Sequence, residues 1–364
     1  MMKRLIVHSF AMLSILLAHS AFTKDLVLPS KTIVDFHVHV AGLGYGDSGC
    51  FINQTMRDNF RFPFYLMAMG VNEDELKEHS DKILFEKISK AVAESSTVSH
   101  AVILAMDGAI NAQGELDKTI TQVYIPNEYV YEETRKYNNL LFAASINPYR
   151  PDALERLQQV SDQGAVLIKW IPSIMMIDPA DPRLTAFYQK MVELNMPLLT
   201  HTGMEKSFPG AKDELADPMR LRLPLQLGVT VIAAHIATTG ESEGEDNFER
   251  ILPLFQQYPN LYADISSLTQ INKLGYMKKA LAIPALSGRL IYGTDWPLQF
   301  FPLVSAWYHI DMIGFKNAIA ISWMDNQWDR DVALKRAMGV SEATLMLGEQ
   351  LLIKKPAGIP AGSQ

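Results

Sequence analysis

The chain repeats one theme: a short apolar run, a polar turn, then a stretch with helical periodicity. Eight runs fit: 32–38 (TIVDFHV), 100–106 (HAVILAM), 140–146 (LLFAASI), 164–170 (GAVLIKW), 197–201 (PLLTH), 229–235 (VTVIAAH), 260–265 (NLYADI) and 288–294 (GRLIYGT). They are continuous rather than alternating, as strands buried on both faces are. Helical spacing fills the gaps at 81–97, 127–137, 151–162, 183–195, 246–257, 274–282 and 329–338. Most intervals between strands are about 30 residues, the size of a βαβ unit. Eight strands each followed by a helix specify an α/β closed (β/α)8 TIM barrel more readily than an open doubly wound sheet. The first interval is longer, so 41–80 are expected to form an insertion with short helices over the barrel mouth. No low-complexity linker interrupts the pattern, and a single barrel domain is expected over 25–354.

Both chain ends read differently. Lys3 and Arg4 precede LIVHSFAMLSILLA, a run too short to span a bilayer comfortably, and Ala18-His19-Ser20 places small residues where a signal peptidase reads. Residues 1–20 are therefore expected to be a signal peptide and the protein to be exported, in a bacterium to the periplasm. The competing reading is a retained membrane anchor, which the short run disfavours. The segment from Lys354 on (KKPAGIPAGSQ) has the composition of a disordered tail, assigned to 355–364. A single cysteine, Cys50, allows no intrachain disulfide in an oxidising compartment. With 364 residues, 48% hydrophobic, the chain can bury a core that needs none. No second long apolar run follows, so no stable membrane span is expected after signal cleavage. The net charge of −7 and the absence of a basic, aromatic-interleaved stretch argue against a nucleic-acid partner. The expected partner is a small-molecule substrate; the oligomeric state is not legible.

One motif is a decoy. Gly44, Gly46 and Gly49 fit GxGxxG after a strand, as a dinucleotide fingerprint would. CFINQ follows, however, and opens no helix, so the glycines read as a flexible loop over a site.

In a barrel of this kind, chemistry sits at the C-terminal ends of the strands. The first run ends with His37 and His39, which strand alternation puts on one face. The fourth ends with Lys169, the fifth with His201, the sixth with His235, and the eighth with Asp295. An isolated HxH is more often two histidines on a wet face, and a lone lysine is often one that snorkels. Five strands ending this way at one mouth by accident is far less plausible. Four imidazoles, a carboxylate and a lysine would also be costly to desolvate together without a metal. Such ligands suit zinc, manganese, iron or nickel. The lysine could serve as a ligand only when neutral, or as a carbamate formed with carbon dioxide.

As a set, these residues resemble the amidohydrolase superfamily. DFHVHV, THTG and GTDWP, with KWIPSIMMIDPADPR between, resemble the branch that contains the aminocarboxymuconate semialdehyde decarboxylase relatives. The resemblance implies one or two divalent ions, zinc being the first expectation. His37, His39 and Asp295 would hold one, His201 and His235 a second, with carboxylated Lys169 as the bridge. In the mononuclear pattern of many decarboxylase relatives, His37, His39, His201 and Asp295 hold a single ion and His235 is an acid or base. Lys169 favours the two-metal pattern.

The expected function is thus a metal-dependent hydrolase, in which a metal-activated hydroxide cleaves an amide, ester or lactone bond and Asp295 carries the proton. The alternative is a mononuclear metal-dependent decarboxylase in which His235 shuttles protons; Arg57, Arg61, Arg220 and Arg222 are candidates to hold its substrate's carboxylate. A non-enzymatic binder would not need Asp295. Trp170 and Trp296 read as core. Met175, Met176 and 60–65 (FRFPFY) could line an apolar mouth. Asp107 and Asp264 are candidate partners for the histidines. Asn53-Gln54-Thr55 is a glycosylation sequon only in a eukaryote.

Overall fold

A computed structural model describes residues 33–353. The expected signal peptide (1–20) and tail (355–364) lie outside them.

All eight expected strands form: β1 (Ile33–His39), β2 (Val98–Leu104), β3 (Leu140–Ala143), β4 (Ile168–Trp170), β5 (Leu198–Thr200), β6 (Val231–Ala233), β7 (Leu261–Asp264) and β8 (Leu290–Ile291). They make a three-stranded sheet in the order β1-β2-β3 and a five-stranded sheet in the order β8-β7-β6-β5-β4. Every pairing within them is parallel. Hydrogen bonds beyond the strand ends join the two sheets. At one seam, Val166 N donates to Phe142 O (2.8 Å) and Lys169 N to Ala144 O (2.7 Å). At the other, His39 N donates to Trp296 O and Asp295 N to His37 O, both at 2.9 Å. The sheet closes on itself as a (β/α)8 barrel, leaving no free edge.

Alternation divides the strand residues into two apolar shells. Val34, Phe36, Val102, Leu141, Leu199 and Ile291 belong to an inner cluster. Ile33, Ile103, Phe142, Trp170 and Leu198 join the outer one, against the helices. The helix Glu342–Ile353 packs Leu347, Leu351 and Leu352 against the inner cluster. None of its residues reaches the cavity described below, so it closes the opposite end of the barrel.

β1 carries a bulge that alternation alone does not foresee. Asp35 pairs with Ala101 and Val38 with Ile103, so Phe36 and His37 together oppose Val102. Phe36 therefore points into the inner cluster, and His37 and His39 also point inward beyond it. A bulge re-aims the side chains after it.

The long first interval holds the short helices Gln54–Arg57, Phe62–Ala68 and Glu73–His79. Phe51–Ile52 pairs antiparallel with Val123–Tyr124 and ties the insertion to the barrel. The side chain of Asn53, the sequon asparagine, caps the first of these helices at Met56 N (2.9 Å). In the glycine loop, the Asp81 carboxylate accepts from Gly44 N (2.9 Å) and the Ser48 hydroxyl (2.5 Å), and no helix opens. It is a braced turn rather than the flexible loop expected, and none of its three glycines lines the cavity described below. The helices Ile310–Ser322 and Glu342–Ile353 add to those expected from periodicity.

Candidate metal centre

The polar residues expected at the strand ends converge. His37 Nε2 lies 3.1 Å from His39 Nε2 and 3.0 Å from Lys169 Nζ. Asp295 Oδ1 stands 3.4 Å from the Nε2 of both histidines. The His235 ring stacks on His37 with centroids 5.1 Å apart, and His201 meets His235 edge-on at 5.4 Å. His37, His235 and Asp295 each offer a ligand atom within 4.8 Å of the others. All six residues line one cavity.

A second layer orients this set. The Asp264 carboxylate accepts from His37 Nδ1 (2.7 Å) and from the backbone N–H of His235 (2.9 Å). With Nδ1 donating, the His37 Nε2 lone pair faces the cavity. His235 Nδ1 lies 3.2 Å from Ser266 O, a carbonyl that only accepts, so its Nε2 is likewise left free. The Glu205 carboxylate stands 3.4 Å from His201 Nδ1. The Ser267 hydroxyl donates to Asp295 Oδ2, leaving Oδ1 for the cavity. Such carboxylate and carbonyl partners fix the tautomer of ligating histidines.

Asp35, the aspartate in DFHVHV, serves the scaffold. Its carboxylate accepts from the N–H of His37 (3.0 Å) and Thr294 (2.9 Å) and from the Trp328 indole (2.8 Å), locking β1 to the segment that carries Asp295.

Backbone conformation also aims the site. His235, Ile236, Ala237, Ser267 and Asp295 have φ between 53° and 63°. Non-glycine residues hold this left-handed region only under strain, which the surrounding packing must maintain.

Burial sets the protonation states. It pushes His37 down to about 4, with Lys169 adding repulsion, and it lowers His201 and His235 as well. Burial alone would raise Asp264 and Asp295, but the neighbouring imidazoles hold both below the ordinary carboxylate range. Neutral imidazoles beside ionised carboxylates are the states that bind a cation. The buried Nε2 of His201 and Nδ1 of His39 have no hydrogen-bond partner among the described residues. Crowded nitrogens with lone pairs turned inward, and orphaned ring nitrogens beside them, fit a divalent ion.

The cavity measures about 180 Å3, and its walls are largely apolar. Met56, Phe62, Tyr65 and Leu66 come from the insertion, and Met106, Ile171 and Phe208 from barrel loops. Phe62 and Tyr65 thus line the mouth as expected of 60–65, whereas Phe60 and Phe64 face solvent.

Several expected contributors lie elsewhere. Asp107 turns away from the histidines to pair with Arg150 (2.6 Å), which its burial requires. None of Arg57, Arg61, Arg220 and Arg222 lines the cavity. Arg61, for example, donates to Lys206 O (2.6 Å), and Arg220 pairs with Asp178 (2.7 Å). Met175 and Met176 do not line it either. Trp170 and Trp296 are core, as expected: Trp170 packs outward on Phe187 and Tyr188, and Trp296 stacks on Trp328. The sequence reading missed Glu205, Ser266, Ser267 and Lys273. An acid four residues after His201 was a weak sign of the first; the others sit in loops whose course no periodicity reports.

The sequence profile of the amidohydrolase family matches residues 34–309, which span every one of these side chains. The chain belongs to the amidohydrolase family. No curated protein sequence matches this amidohydrolase. Among solved structures, an uncharacterized TIM-barrel protein from Bordetella bronchiseptica superposes with a TM-score of 0.51 at 16% identity, covering 83% of this chain and 99% of its own. The IDCase of Metarhizium anisopliae gives 0.47 at 15%, covering 89% and 97%. The 4-oxalomesaconate hydratase of Rhodopseudomonas palustris gives 0.44 at 16%, covering 88% and 99%.

Proposed function

We propose that this amidohydrolase is a metal-dependent hydrolase of small organic substrates, acting on an amide, ester or lactone bond. The observation that supports it best is Asp295, whose Oδ1 stands 3.4 Å from both His37 and His39 while Ser267 holds its other oxygen. His37, His39, His201, His235 and Asp295 would hold one or two divalent ions, zinc being the first candidate. A bound ion would polarise the scissile carbonyl and acidify water. Asp295 Oδ1 takes the proton of the attacking water and returns it to the leaving group. In the single-ion arrangement His235, neutral and held at Nδ1 by Ser266, would not be a ligand and its Nε2 would orient the reacting group. The apolar wall from the insertion excludes bulk water. Burial lowers Lys169 to about 8, which increases the neutral amine that reacts with carbon dioxide; carboxylated Lys169 would bridge two ions. The substrate would be met outside the cytoplasm if residues 1–20 direct export.

Decarboxylation at a single ion is the second reading, and one feature favours it. It needs a cation for the substrate carboxylate, and Lys273 supplies one where the arginines do not.

The test pairs elemental mass spectrometry of protein purified without chelators with turnover of ester, lactone, amide and carboxylic-acid panels. Asp295→Ala should keep the fold and lose turnover by roughly 100-fold or more. Near two ions per chain supports the Lys169 bridge, and near one supports the mononuclear site. An active Asp295→Ala enzyme, or protein that takes up no metal, would overturn the proposal.

A further inference from the structure

Three buried lysines lie in or near the barrel, and two are satisfied. Lys335 donates to Gly293 O and Asp331 Oδ2, both at 2.7 Å, and Lys169 meets His37. Lys273 is different. It is 5% exposed and lines the cavity, yet no hydrogen bond or ion pair reaches its ammonium group among the described residues. An ammonium that opens on the cavity with no paired charge beside largely apolar walls is poorly compensated. The charges of Asp295, Asp264 and Glu205 attract it without contact, and Lys206 repels it. A metal ion would draw on that same negative charge, leaving the ammonium less compensated than before.

Its position is fixed relative to the metal centre. Lys273 ends the short turn Ile271–Lys273, and its backbone N–H closes on Gln270 O (2.9 Å). Ile271 N donates to Leu303 O (2.9 Å), anchoring the turn to the next loop. Gln270 Nε2 reaches the Ser267 hydroxyl (3.2 Å), which in turn holds Asp295. One loop therefore positions both the proton carrier and the free cation.

We propose that Lys273 is a specificity residue, which holds a carboxylate of the substrate while the metal centre acts on a group further along the molecule. The unpaired ammonium of Lys273 matches one carboxylate, and the apolar walls take the substrate's hydrocarbon body. The substrate class is thus a small carboxylate with an apolar frame. This inference rests on the metal-centre reading, and its test separates the two.

Benzoate and its neutral isostere benzamide are the probes, titrated calorimetrically into zinc-loaded wild type, Lys273→Gln, Lys273→Met and Lys273→Arg. Wild type should prefer benzoate by roughly tenfold or more, the worth of a hydrogen bond to a charged group. Both neutral variants should lose that preference with benzamide binding and zinc content unchanged, and Lys273→Arg should retain part of it. Either neutral variant suffices if the other does not fold. Wild type without a preference would overturn the proposal. So would a preference that survives in Lys273→Gln or Lys273→Met, because the ion would then be the carboxylate's anchor. Protein that takes up no zinc would sink the metal-centre reading, and the same titrations without metal would still decide the role of Lys273.

Discussion

His201 offers Nε2 to the cavity because Glu205 stands at its other ring nitrogen, and Glu205 is itself held by Ser207 N at 2.6 Å. Replacing the carboxylate by an amide keeps the shape but removes the charge that favours the right tautomer and raises ligand basicity. Glu205→Gln should therefore weaken zinc binding by roughly 10–100-fold, read by competition with a chromophoric chelator, at an unchanged melting temperature. Unchanged affinity would mean that His201 is no ligand. The six residues at the strand ends were legible because polar groups closing apolar runs are costly and hence conspicuous. Glu205, Ser267 and Lys273 were not, since what they touch depends on how loops fold back. Asp107 shows the converse: it also closes a strand, but Arg150 from a neighbouring segment captures it.

Elements were legible for a related reason. Continuous apolar runs separated by helical periods leave a parallel sheet with helices outside as the only economical burial. The bulge in β1 was hidden because it changes facing without changing composition. It also makes a packing prediction, because it keeps Phe36 pointing down the barrel toward the helix Glu342–Ile353. A Cβ built on Gly348 of that helix would lie 2.3 Å from Phe36 Cε2. The ring is walled in by the inner cluster, so it cannot swing aside. Gly348→Ala should thus destabilise the protein by roughly 1–3 kcal/mol, despite the better helix propensity of alanine. Chemical denaturation checks this, and Phe36→Leu, which shortens the ring's reach, should recover part of the loss in the double variant. A neutral or stabilising Gly348→Ala would show that this helix does not seat on Phe36.

At the scale of the whole molecule, the barrel is closed by few bonds where β1 meets β8. His39, Trp296, Asp295 and His37 make two of them through their backbones, and Asp35 adds its side-chain brace. The same segments carry three proposed ligands, while His201 and His235 follow β5 and β6, inside the five-stranded sheet. An ion bound by this set would join both sheets across that seam and relieve the mutual crowding of the inward nitrogens. Binding to the folded state alone stabilises by mass action, about 2.7 kcal/mol when free zinc is 100 times its Kd. Stripping the full-length protein with a chelator should lower its Tm by roughly 5 °C, and zinc should restore it. Asp295→Ala should be less sensitive to both treatments, since it lacks the carboxylate shared by His37 and His39. A Tm that ignores the chelator in protein shown to have lost its metal would mean that the ion does not span the seam. Equal sensitivity in Asp295→Ala would place the ion on the histidines alone and remove Asp295 from the ligand set.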